Sequence, residues 1–164
     1  MLKKFVLFAL LLLPLGAFAQ EKIAYFNPSE IIVIMPEYKQ MQDSLQKTSA
    51  YMQKEMDILR EEYSKKYQAF MNESEGLIES IKIRRMQEIQ DLEQRASLYS
   101  EQSQQELEQL YQALMTPINK KVRDAVQAVG AANNFLYILH GESLLYVSPH
   151  AIDATPLVQK QLRL

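Results

Sequence analysis

The chain has no cysteine, two histidines and only four glycines in 164 residues, and each shortage closes off a class of protein. Without cysteine no disulfide can staple the fold, so stability must come from packing or assembly. The histidines, His140 and His150, offer little to a metal. His140-x-Glu142 lies in a tight turn and lacks a third ligand at useful spacing, so a turn residue and a surface residue are the commoner reading. There is no glycine-rich phosphate loop, no thiol nucleophile and no HExxH pair. The many carboxylates sit among Lys and Arg, where solvated charge is the ordinary role and paired acid-base catalysis the rare one. No enzyme, cofactor or metal site is expected.

Long hydrophobic runs are missing too. Residues 5–15 are apolar and follow Lys3 and Lys4, but Pro14 and Gly16 interrupt them too early for a bilayer span. Ala17-Phe18-Ala19 then provides the small residues of a signal-peptidase site, which predicts export with cleavage after Ala19. No cysteine follows that could take a lipid anchor. Loss of Lys3 and Lys4 leaves 16 basic against 20 acidic residues, a net charge of −4, which disfavours nucleic acid and bulk attraction to anionic lipid.

What is abundant is Gln, Glu, Lys, Leu and Met, the composition of long helix. The spacing predicts a strand over Lys22–Phe26, then Asn27-Pro28-Ser29-Glu30 as a capping signal for a short helix over residues 28–34. Pro36 opens a helix over residues 37–75, a turn falls within residues 74–82, and a second long helix runs to Met115. Thr116-Pro117 predicts a break or kink before a continuation to about Ala132. A hairpin follows in NNFLYILHGESLLYVSP, with strands over residues 134–140 and 144–148, and Thr155-Pro156 caps a last helix over residues 157–162. The domain division is a leader (1–19), a first body part (20–35), a helical arm (36–116) and a second body part (117–164).

Both long helices carry a countable apolar seam. The first runs Tyr38, Met41, Leu45, Thr48, Met52, Met56, Leu59, Tyr63, Tyr67, Phe70, and repeats after eleven residues; the second runs Ala96, Tyr99, Ser103, Leu107, Leu110, Leu114, Ile118. An eleven-residue interval suits a nearly straight antiparallel pair. Such an arm is roughly 60 Å long at the helical rise and must project from any core this chain can build. The strands, by contrast, are too few to stand alone, and the run FLYIL is apolar on both faces. Several copies are therefore expected to share one β body, with Ile23, Tyr25, Leu136, Ile138, Leu145 and Val147 at its contacts. The fold class is α+β, mostly α.

Tyr51, Ile58, Met71 and Leu98 lie off the seam. With Met52, Met56, Tyr63, Tyr67, Phe70 and Tyr99 they make the candidate binding surface, since flexible Met and amphipathic Tyr suit a surface that holds many shapes weakly. Near the arm's end Lys82, Arg84 and Arg85 cluster, with Lys65 and Lys66 close by. Contact with phosphate on lipid or lipopolysaccharide is one reading of the cluster, and plain solvation of the tip is the commoner one.

The opening KIAYFNPSEII with PEYKQ, the segment MTPINKKVRDAVQAVG, the strands FLYIL and LLYVSP, and the closing AIDATPLVQKQL resemble the Skp (OmpH-like) family of periplasmic chaperones of outer-membrane proteins. The resemblance covers the mature chain, its end motifs being moderately specific and its coiled middle hardly so. It implies a jellyfish-shaped homotrimer with a β body and three arms around a cavity, an ATP-independent holdase for unfolded outer-membrane barrels. Body strands would be residues 23–26, 136–139 and 144–147, and arms residues 41–70 and 86–110. This chain departs from the family in being acidic, which weighs against a lipopolysaccharide site. The alternative class is an exported coiled-coil adaptor that bridges fixed envelope partners.

Overall fold

The computed structural model describes residues 22–164; the expected leader and its expected cleavage site lie outside the described residues. In chain order the elements are β1 (Lys22–Phe26), α1 (Pro28–Ile32), α2 (Pro36–Glu73), a 3-10 turn (Ser74–Gly76), α3 (Glu79–Asn133), β2 (Phe135–His140), a second 3-10 turn (Gly141–Ser143), β3 (Ile152–Asp153) and α4 (Thr155–Leu162). Helices α2 and α3 pair antiparallel as an arm, and the rest forms the body.

Proline at the first position starts α1 and α2, where the missing N–H costs nothing. The arm reverses through residues 74–78 and α3 then runs 55 residues without a break, about 82 Å at the helical rise. Pro117 lies inside it. The expected interruption is absent: the helix closes over the proline, and the Thr116 hydroxyl donates to the Gln112 carbonyl at 2.6 Å. Asn134 ends α3 in the left-handed conformation (φ 53°), one of the few settings where a non-glycine residue tolerates it, and the chain turns directly into β2.

The sheet has the order β2-β1-β3, and both pairings are parallel. This corrects the expected hairpin. Residues 144–148 form no strand within the chain; the third strand is Ile152–Asp153, paired with Ala24 and Tyr25. The reason lies at Gly141, where an added Cβ would sit 2.0 Å from the Asn27 side-chain oxygen and 3.1 Å from the Phe26 carbonyl oxygen. The turn is wedged under the β1–α1 junction and held there by a Ser29 hydroxyl–Glu142 carboxylate hydrogen bond, so the chain leaves away from β2. Gly141→Ala should therefore destabilise the fold by about 1–3 kcal/mol, read as a lowered midpoint in urea, because Asn27 and the backbone must both give way.

Two further capping expectations are met differently. Asn27 makes no side-chain bond to the backbone of α1; its amide donates to the Glu30 carboxylate at 2.7 Å, while its backbone N–H donates to the Thr155 hydroxyl at 3.1 Å. Thr155 is inside α4, and its own N–H is taken by Asp153 at 2.8 Å. These bonds tie the two ends of the described chain together.

The core collects Ile31, Met35 and Met41 against Ile118, Val122, Ala125 and Val129 of α3, with Ala24 and Val158 closing it. The α3 residues recur in steps of four, three and four, one helical face. Each large side chain buried here is worth about 1.5–3 kcal/mol, so so small a core leaves the body modestly stable.

Candidate functional site

Strand alternation divides the sheet into two faces. Ala24, Phe26, Ile138 and His140 share the inner face by register; Phe26 and His140 meet edge to face with centroids 5.9 Å apart, and the Ile138 tip would lie 3.5 Å from a Cβ at Gly130. The outer face carries Ile23, Tyr25, Tyr137 and Leu139; all are exposed but Tyr25, which is half-buried beside Gly141. A register shift between Lys22 and Ile23 displaces Leu136, which is also exposed. Of the expected assembly residues, Ile23 and Leu136 are exposed, and Tyr25 is half-buried on the same outer face as Ile23. Ile138 is not on that face, because it packs on its own chain's α3.

Beyond Gly141, Leu145 is wholly exposed at 106% and Tyr146 is 78% exposed, while Val147 is half-buried. The outer edge of β2 has no partner strand among the described residues. An apolar sheet face, an unpaired edge and a greasy extended segment stand side by side, the composition of an unfinished sheet.

Along the arm the seam is real but thin. Met52, Ile89 and Leu92 are buried between the helices, and Met56, Tyr63, Phe70 and Tyr99 are half-buried there. These five candidates from Met52 to Tyr99 are therefore largely occupied in holding the arm together. Tyr67 leaves the seam; it is exposed and stacks on Tyr63 at 5.9 Å and 11°, while Lys66 takes its place and bonds Glu88 at 2.8 Å. Tyr51, Ile58, Met71 and Leu98 are exposed, as their off-seam positions require. Sequence reasoning missed Ile78, Ile83 and Met86, also exposed, because residues beside a turn follow no repeat that would mark them.

Charge pins the arm at its ends. Glu37 pairs with Lys121 at the base, beside a surface cleft of about 340 Å³ lined by Met41, Leu114, Pro117 and Ile118. Farther out, Glu62–Arg95 (3.5 Å) and Glu73–Arg85 (2.6 Å) cross between the helices. The Lys121 ammonium lowers the Glu37 pKa by hydrogen bonding, and Lys66 does the same for Glu88. At the tip, Arg85 is engaged by Glu73 and Arg84 lies 3.8 Å from Glu88, so the basic cluster with half-buried Lys82 is largely answered within the arm. If the arm holds unfolded polypeptide, replacing Lys82, Arg84 and Arg85 by Gln should leave that holding nearly intact, as scored by light scattering. A severe loss would instead assign the cluster to an acidic or phosphate-bearing partner.

Among the described residues no three His, Asp or Glu side chains gather as a metal site, and no helix is long and apolar enough to cross a membrane. The surfaces available are made for contact: a small body with an exposed sheet face and a long two-helix arm studded with Met, Tyr and Ile. That architecture defines a class of arm-and-body binding proteins. The sequence profile described as outer membrane protein (OmpH-like) matches residues 22–162, and the chain belongs to the OmpH-like family. Among solved structures it is similar to a protein from Caulobacter crescentus described as an outer membrane chaperone (OmpH-like), with a TM-score of 0.74 at 14% identity over 87% of this chain and 85% of that one; the likeness is one of fold. No curated protein matches it in sequence.

Proposed function

We propose that this protein is an ATP-independent holdase chaperone, exported to the periplasm, that shelters unfolded outer-membrane barrel proteins between its arms. The observation that carries the reading is the arm itself, which projects far from the body and exposes Tyr51, Ile58, Tyr67, Met71 and Leu98 to solvent. Side chains of this kind adapt to many apolar shapes, and spread along a shaft they hold a chain at many weak points without fixing its fold. Family membership and the fold likeness to an OmpH-like protein described as a chaperone support it. The exposed sheet face supports assembly into a homotrimer, in which Ile23, Tyr25, Tyr137 and Leu139 face one another and residues 144–147 complete the sheet. Arms from three copies would then surround a cavity.

The deciding experiment dilutes a urea-unfolded outer-membrane barrel into buffer with and without the mature protein, in the absence of nucleotide. Suppressed aggregation is expected at stoichiometric protein. Unchanged aggregation, with recovery of one fixed envelope partner, would instead assign the chain to adaptors.

A further inference from the structure

The arm is a flat ribbon of two helices, and its two outer edges match each other. Turning about 100° per residue from the seam places Lys47, Lys54 and Ile58 within about 60° of the side of α2 that faces away from α3. By the same count Leu98, Glu101 and Glu108 occupy the side of α3 that faces away from α2. All six are exposed. None of the four charged residues has an ionic partner in its own chain among the described residues; Glu101 and Glu108 accept only from Gln105 and Gln112, one turn along their own helix.

Their heights along the arm agree as well. The Glu62–Arg95 pair fixes which residues of the two helices lie level. Counting from it toward the body, Ile58, Lys54 and Lys47 come level with Tyr99, Ser103 and Leu110. Leu98, Glu101 and Glu108 are then within two residues, about 3 Å of rise, of their counterparts. Isoleucine stands level with leucine, and each lysine with a glutamate, on opposite edges of one ribbon.

We infer that these edges dock on one another between copies, the α2 edge of one arm lying along the α3 edge of the next. The inference rests on the assembly proposed above. Rotation about an axis along the arms preserves height, so such neighbours meet in the register described, Lys54 to Glu101, Lys47 to Glu108 and Ile58 to Leu98. A second copy is the occupant because the match is one of charge sign and height together, and an unfolded client has no fixed register to match. Exposed pairs of this kind are weak and screened by salt, so the arms close reversibly around the cavity and part when a client is large.

The absence of native cysteine makes the test direct. In the full mature chain, Ile58→Cys with Leu98→Cys places thiols on opposite outer edges of each arm, where a short bismaleimide joins them only between copies. A covalent oligomer on a denaturing gel is the expected product. Adding Lys47→Glu and Lys54→Glu should lower its yield about tenfold, because like charges then face one another. Further addition of Glu101→Lys and Glu108→Lys should restore it, and about 1 M NaCl should reduce it in the parent pair. An oligomer by sedimentation that never cross-links overturns the docking and leaves the assembly standing, whereas a monomer by sedimentation removes both. Failure of the fourfold reversal to restore the yield, or thiols protected by a urea-unfolded barrel with no link between copies in its absence, also overturns it.

Discussion

Leu139→Asp is expected to dissolve the proposed assembly into monomers that keep their helices. Leu139 lies on the outer sheet face beside Tyr25, and in the single chain it is exposed, so a carboxylate there stays hydrated and costs the fold little. Between copies the same carboxylate would lose its water without gaining a partner, at a cost of several kcal/mol for each interface. Sedimentation should report the monomer mass while the far-ultraviolet helical signal persists. Ile138→Asp separates the two faces of one strand. That side chain points at α3 near Gly130, so an aspartate there strikes the chain's own core and should lower folding stability directly, by about 1–3 kcal/mol, read as a lowered unfolding midpoint. Should Leu139→Asp sediment like the parent, copies do not meet at this face.

Shortening the arm should separate holding from assembly. Removing residues 56–66 from α2 and 91–101 from α3 takes one eleven-residue repeat from each helix at the same height, since the Glu62–Arg95 pair, which leaves with the segment, sets residue 56 level with 101 and residue 66 level with 91. The seams rejoin in phase, with Glu55 running into Tyr67 and Gln90 into Gln102. Reach falls by about 16 Å. Ile58, Tyr63, Leu98 and Tyr99 leave with the segment, whereas the body keeps its core and its outer face. Oligomeric mass should be unchanged, and protection against aggregation should fall most for large barrels and least for small ones. Equal protection of both by the shortened protein would mean that the arm is not the holding element.

The arm was legible because its signal is periodic and local. Steps of three and four name Met52 and Leu107 as inward residues, and an off-seam position is enough to place Tyr51 and Leu98 outside. The sheet was legible only in part. Two β-rich runs either side of a glycine turn read as a hairpin, but Gly141 serves a close approach to Asn27 and Phe26, a contact far away in sequence that no local pattern announces. Parallel pairing of β1 with β2 is likewise set by the return of a long arm, and β3 is two residues long, too short to show alternation. Register decided the rest. The shift beside Ile23 turns Ile138 inward and brings Tyr137 and Leu139 outward, reversing what counting from Leu136 suggested. Lys66 enters the seam for a similar reason: an acidic neighbour, Glu88, waits across the ribbon, and only the paired structure reveals it.

The unbroken passage of α3 through Pro117 has a mechanical meaning. Had the chain hinged there, a load on the tip would have been spent in bending at the joint. Instead one rod reaches from Glu79 beside the tip to Asn133, and a single left-handed residue, Asn134, couples it to β2. The body end of that rod is gripped by Ile31, Met35 and Val158 through Ile118, Val122 and Ala125, which makes the core a fulcrum and α3 a lever with unequal limbs. A sideways pull at Met86 would thereby be converted to a smaller, stronger displacement at the strand whose outer face is exposed. Under the proposed function, tension from a held chain would be felt where copies would meet.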